Sequence, residues 1–357
     1  MNPLLSDRSN RIVELMDLPA ERRDVDWSRD AVQQAILLEL ATLPPYLCGM
    51  WSIDDTGGDG QAFDTLHAIV FDEMSHLGLA CNLLTTIGGV PVLADAAVVP
   101  AYPGPLPGGV RPELSVFLGG LTKDSLKMYA RIEEPDDPIV EAKVTYTSIG
   151  AFYSAILDAF RAHPEMITGA RQLTRNMAHH GSGNSLVALD SPATVESAVA
   201  VIKEQGEGTS ASPENPHPAE DGELAHYYAF LELFHGRRLI EMPGCPGTWD
   251  FQGAAIPMPG TLPMGVVPLG GWPRTGPSAP DSATAELLDT FNRSYSGMLR
   301  FLEQAWRQDD PTTARQLLKS AVREMGTLQD PARDLMRRPL PDGSGKTYGP
   351  EFRYVAP

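Results

Sequence analysis

Apolar residues recur at helical spacing over most of the chain, and no stretch alternates at the period of two that a half-buried strand requires. Val32, Ile36, Leu40 and Leu43 mark the stripe of a helix from about Asp30, its expected N-cap, to about Trp51. Pro44-Pro45 falls inside that pattern and is expected to kink or interrupt it beyond Glu39. A second helix is expected from about Phe63 to Ile87, carrying Leu66, Ile69, Val70, Leu77, Ala80 and Leu84, with Gly88-Gly89 as its stop. Further helical segments are expected near 115–129, 142–162, 193–204 and 222–240, and a last pair near 283–307 and 311–326. Residues 1–28 read as a polar lead-in. Pro and Gly crowd 90–140 and 243–280, which are expected to be irregular. The class is mainly α.

Acidic and histidine side chains interrupt the apolar stripes. Glu39 lies in AVQQAILLELATLPPY, Glu73 and His76 in AIVFDEMSHLGLACNLL, Glu204 and Glu207 in VIKEQGEG, and Glu223 and His226 in ELAHYYAFLELF. An unpaired buried carboxylate costs several kcal/mol, roughly, so a group of them in one helical core calls for a shared cause, and a bound metal supplies one. Glu-x-x-His places both side chains on one helix face, where they can present an oxygen and a nitrogen to the same ion. The pattern occurs at Glu73/His76, Glu214/His217, Glu223/His226 and Glu232/His235. Pro216 puts the second of these in a loop. The last two are nine residues apart, roughly 900° of rotation, so only one can face the core; alignment of Glu223 with Tyr227, Phe230 and Phe234 favours the first. Bundles that hold two ions draw one Glu from each of two helices and Glu-x-x-His from the other two. Carboxylate-rich ligation with two imidazoles suits iron, with manganese second, over structural zinc.

Composition narrows the class further. At 357 residues with 42% hydrophobic content the chain can bury a large core, and its net charge of -18 argues against nucleic acid and anionic membrane as partners. Three cysteines without ligand spacing, no signal-peptide pattern and no bilayer-length apolar run give the expectation of a cytoplasmic protein. The glycine runs at Gly57–Gly60 and Gly104–Gly109 lack the strand-to-helix context of a nucleotide cradle. His179-His180 and Gly181–Ser185 read as a surface loop. Tyr46, Trp51, Tyr153, Tyr227 and Tyr228 are core residues or the lining of a pocket beside the metal.

The runs LELATLPPYLCGMWSI, DEMSHLGLACNLLTTIGGVP, TSIGAFYSAI and EQGEG followed by ELAHYYAFLEL, in order over about 28–241, resemble the ferritin-like domain related to iminophenylpyruvate dimer synthase of the violacein and indolocarbazole pathways. The resemblance implies a ferritin-like four-helix bundle, here with long Pro/Gly-rich insertions and a C-terminal helical extension. It also implies a centre of one or two iron ions and a setting in bacterial secondary metabolism. It carries over Glu39, Glu73, His76, Glu207 and His226 as matching positions. Many relatives have an acid just after Ile-Gly in the third block, where this chain has Ala151, and the pathway synthases are much longer.

The expected organisation is a metal-binding bundle over 1–245 with an insertion at about 90–140, an irregular segment over 246–280, and a helical pair with a tail over 281–357. Two functions follow. One is an iron-dependent oxidoreductase acting on a small organic substrate with O2 or a peroxide, in which Glu223 or Glu204 completes the ligand shell or accepts a proton. The other is a non-catalytic partner or scaffold with a degenerate centre, suggested by Ala151. A homo-oligomer or a pathway-enzyme partner is compatible with both. Iron storage is disfavoured by the insertions.

Overall fold

The computed structural model describes residues 10–54, 60–136, 148–175, 185–218 and 222–357. After a short helix α1 (Arg11–Met16), two long helices form the spine: α2 (Val25–Ser52) and α3 (Gln61–Thr86). They are about 40 Å long at 1.5 Å per residue and pack along each other. Helix α2 begins earlier than the pattern suggests. Asp24 caps it, its Oδ1 accepting from the backbone N–H of Asp26 and Trp27, while Asp30 is a buried partner of Arg11, whose Nε donates to its Oδ2 at 2.9 Å.

Helix α2 also runs through Pro44 and Pro45 without interruption. Pro45 has no N–H for the carbonyl of Ala41 four residues back, and the hydroxyl of Tyr102 donates to that carbonyl at 2.8 Å instead. Tyr129 donates to the carbonyl of Pro45 at 2.7 Å. A residue far along the chain thus satisfies the carbonyl that Pro45 would leave bare. Helix α3 ends as expected, with Gly88 in the left-handed region at φ 74°.

The remaining two sides of the bundle are each built from two short helices. Helix α4 (Lys123–Glu133) packs on α7 (His226–His235), and α5 (Ile149–Ala162) packs on α6 (Pro192–Glu207). Helix α2 touches both α4 and α5, and α3 touches both α6 and α7. Helix α4 starts later than the apolar pattern placed it, because Thr122 and Ser125 form a capping box. Helix α7 starts at His226, since Leu224 pairs with Glu214 in a β-bridge and Ala225 is extended.

The C-terminal helices α8 (Ser282–Arg307) and α9 (Pro311–Gly326) form a hairpin, and α8 lies against α3. The indole of Trp306 donates to Asn82 Oδ1 at 2.9 Å, and Glu303 Oε2 accepts from the backbone N–H groups of Leu93 and Ala94. The tail is not wholly irregular: α10 (Gln329–Leu335) returns to the spine, where buried Arg333 donates to the carbonyls of Trp51 and Ile53 at the end of α2. Within the Pro/Gly-rich stretch, a two-residue strand β1 (Ile240–Glu241) pairs antiparallel with β2 (Trp249–Asp250). No helix among the described residues is long and apolar enough to cross a membrane.

Candidate metal centre

The interruptions in the short helices meet at one point beside the spine. Glu133 ends α4, Glu207 ends α6, His226 opens α7 and Gly150 lies in the first turn of α5. From the spine, Glu39 on α2 and Glu73 and His76 on α3 face the same place. All of these side chains are nearly or fully buried.

Donor atoms converge in two sets. Glu39, Glu73 and His76 offer one ligand atom each within 4.8 Å of one another, and so do Glu73, Glu133 and His226. Glu73 belongs to both. His76 Nδ1 lies 3.5 Å from Glu73 Oε1 and 3.9 Å from Glu39 Oε2, and His226 Nδ1 lies 2.9 Å from Glu73 Oε1. The last distance lacks hydrogen-bond alignment, so this buried nitrogen has no hydrogen-bond partner among the described residues. Close donor atoms without a shared hydrogen are what two ligands of one ion present.

Neighbouring groups fix the orientation of these donors. His76 Nε2 lies 2.9 Å from Gln205 Oε1, and His226 Nε2 lies 3.4 Å from Asp72 Oδ2. An acceptor on the outer nitrogen holds the proton there and turns Nδ1 towards the centre, the usual support for an imidazole ligand. The two rings stack with centroids 5.7 Å apart. Each carboxylate is held by a hydroxyl: Tyr153 donates to Glu39 Oε1 at 2.6 Å, Thr42 to Glu73 Oε2 at 2.8 Å, and Tyr46 to Glu133 Oε1 at 2.5 Å.

The electrostatics leave the cluster short of positive charge. Burial, reinforced by the charge of Glu73, pushes Glu39 up to about 8 and Glu133 up to about 7. Burial also acts on Glu73, but contacts with His226 and His76 outweigh it and hold this carboxyl well below its ordinary range. Burial would depress both imidazoles; the adjacent carboxylates prevail, raising His76 to about 9 and His226 well above its ordinary value. Without a cation the centre therefore retains protons. A metal ion bound here would replace those protons, and carboxylate oxygens with two oriented imidazoles are a donor set that could hold one.

The expected residues do not all share one role. Glu39, Glu73, His76 and His226 converge. Glu207 lines the same small cavity, about 20 Å³, but lies outside both donor sets, and its Oε1 accepts from the Gly150 N–H at 2.7 Å. Burial pushes its carboxyl up to about 7 against that hydrogen bond. Glu204 faces away, with Oε2 2.9 Å from His217 Nε2. Glu223 precedes α7, so the helical spacing that would aim it with His226 is absent; its backbone carbonyl accepts from Asn215. Glu232 receives Arg238 and the Leu239 N–H instead of facing the cluster. His179 and His180 lie outside the described residues.

Sequence reasoning missed Glu133, Asp72 and Gln205. Glu133 follows Tyr129 by one helical turn in MYARIEE, on the face that carries Tyr129 into the core, which was the available signal. Two glycines make room for the carboxylates. A Cβ on Gly150 would collide with the Glu207 carboxylate, and one on Gly206 would lie 3.0 Å from Glu133 Oε2.

The ferritin-like family model matches residues 32–235, which contain every donor described above. The chain belongs to the ferritin-like family. It is similar over its length to the crystal structure of a ferritin-like protein from Caulobacter vibrioides, with a TM-score of 0.59 and 21% identity. That likeness covers 92% of this chain and 97% of the other, so the shared fold extends beyond the bundle into the C-terminal helices. No curated protein matches the chain.

Proposed function

We propose that this ferritin-like protein is an iron-dependent oxidoreductase with a two-ion centre, acting on a small organic substrate with O2 or a peroxide. The observation that carries the reading is the pair of donor sets sharing Glu73, each with an imidazole oriented from outside. Bound iron would supply redox chemistry with O2. Glu39, Glu73 and His76 would hold one ion, and Glu73, Glu133 and His226 the other.

The chain's own groups then have separate tasks. Tyr153, Thr42 and Tyr46 hold the carboxylates in place, and Gln205 and Asp72 hold the rings. Glu207, raised to about 7 by burial against hydrogen bonds from the Gly150 N–H and Ser148, is suited to exchange a proton near neutral pH. The cavity is of a size for a water or diatomic molecule, so an organic substrate would approach from its partly exposed wall at Ile149 and Lys203. Glu133 supports a working centre over a degenerate one, since it completes a second donor set with Glu73 and His226 although position 151 is an alanine. A role in bacterial secondary metabolism, in the manner of the iminophenylpyruvate dimer synthases, is part of the proposal and rests on the sequence resemblance.

The test is anaerobic reconstitution with Fe(II), metal analysis and O2 uptake. Two ions per chain and iron-dependent O2 consumption are expected. Retention of no metal would end the reading, and retention of iron without O2 consumption would leave only the scaffold alternative.

A further inference from the structure

A second interior space lies on the other side of α3, between the spine and the hairpin of α8 and α9. Its volume is about 370 Å³. On α3, Glu73 and His76 face the carboxylate cluster, whereas Val70, Phe71 and Met74 line this space from roughly the opposite face. From α2 it receives Leu43, Leu47 and Met50, and from the hairpin Tyr295, Met298, Leu302 and Trp306.

The chemistry of the lining differs from that of the molecule as a whole. In a chain of net charge -18, no aspartate or glutamate among the described residues lines it. The lining residues His67 and Arg175 are partly exposed and so lie where the space approaches the surface. Methionines from four helices, Met50, Met74, Met298 and Met325, make the wall adaptable to the shape of an occupant. Tyr295 meets the space with little surface: the residue is 3% exposed, and its hydroxyl is enclosed in the wall and does not open onto the space. Size and adaptable apolar walls are the attributes of a site for an apolar small molecule.

We propose that this space binds an uncharged, largely apolar small molecule. The site is independent of the metal centre, because no donor of either set lines it.

The neutral naphthalene ketone prodan, whose emission shifts to the blue in apolar surroundings, is the probe. Titrated into the full chain, metal-free and metal-loaded, it should bind saturably at one per chain with equal affinity in both forms. Leu302→Trp should fill the space and abolish binding; if that chain does not fold, Leu318→Phe at the same wall serves instead. Absence of saturable binding, or unchanged affinity in the folded filling variant, would overturn the proposal.

Discussion

The two interior spaces flank the same helix and are opposites in kind. On one face of α3, Glu73 and His76 join Glu39, Glu133 and His226 in a cavity with room for ions and little else. On the other, Val70, Phe71 and Met74 border a space nearly twenty times larger, lined by no carboxylate among the described residues. The difference shows how one helix can be apolar by composition and still serve a charged centre. The aliphatic face stabilises the fold, and that stability allows the acidic face to remain buried without its cation. The small cavity is costly to the fold when empty of charge compensation; the large one forgoes packing contacts.

The sharpest way to break the contrast is Glu73→Ala. Because Glu73 belongs to both donor sets, metal content after reconstitution should fall from two ions to none, while prodan binding on the opposite face persists. Metal retained at the wild-type level would dissolve the two-set description. Glu133→Ala is the next step down. It should remove one ion and spare the other, readable as halved metal content with the Glu39, Glu73 and His76 set intact.

Acidity should separate metal-free from metal-loaded protein. Glu39 and His76 are raised to about 8 and about 9 from ordinary values of 4.5 and 6.5, so in the metal-free fold both bind protons more tightly than in the unfolded chain. Their contribution to stability is fully present below those ordinary values and is lost as pH rises through 8 and 9. The thermal midpoint of metal-free protein should therefore fall between about pH 6 and about pH 9, and the increment given by Mn(II) should grow over the same range as protons cease to compete. A metal-free midpoint that rises across this window would contradict the charge arrangement.

A smaller effect is expected at the rim. Gly150→Ala should displace the Glu207 carboxylate and cost about 1–3 kcal/mol by overpacking, measured by denaturant unfolding. A comparable loss, about 1–3 kcal/mol, is expected from Arg333→Met, which strands the buried carbonyls of Trp51 and Ile53 far from either cavity. Unchanged unfolding in Arg333→Met would mean that α10 does not secure the spine.

How much of this was legible depended on whether the signal was local. The spine was readable because α3 keeps its apolar period from Leu66 to Leu84 and stops at a glycine, and Glu39, Glu73 and His76 stood out as intrusions into apolar runs. The hairpin of α8 and α9 was readable for the same reason. What escaped was decided by distant partners. Glu133 looks like a surface acid at a helix end until α6 and α7 close over it, and Glu223 seemed paired with His226 until a bridge to Glu214 held its segment out of the helix. The region after Gly326 looked irregular because Arg333 draws its role from residues some 280 positions earlier.

The double proline in α2 carries one more lesson. Since the Tyr102 hydroxyl stands in for the missing backbone donor at Ala41, the spine cannot complete its own internal bonding, and the loop that brings Tyr102 is as much a part of that helix as its own residues. An isolated peptide of residues 25–52 would fray where the intact protein is continuous, which makes the Pro-Pro step a molecular latch that closes only after the rest of the chain has arrived.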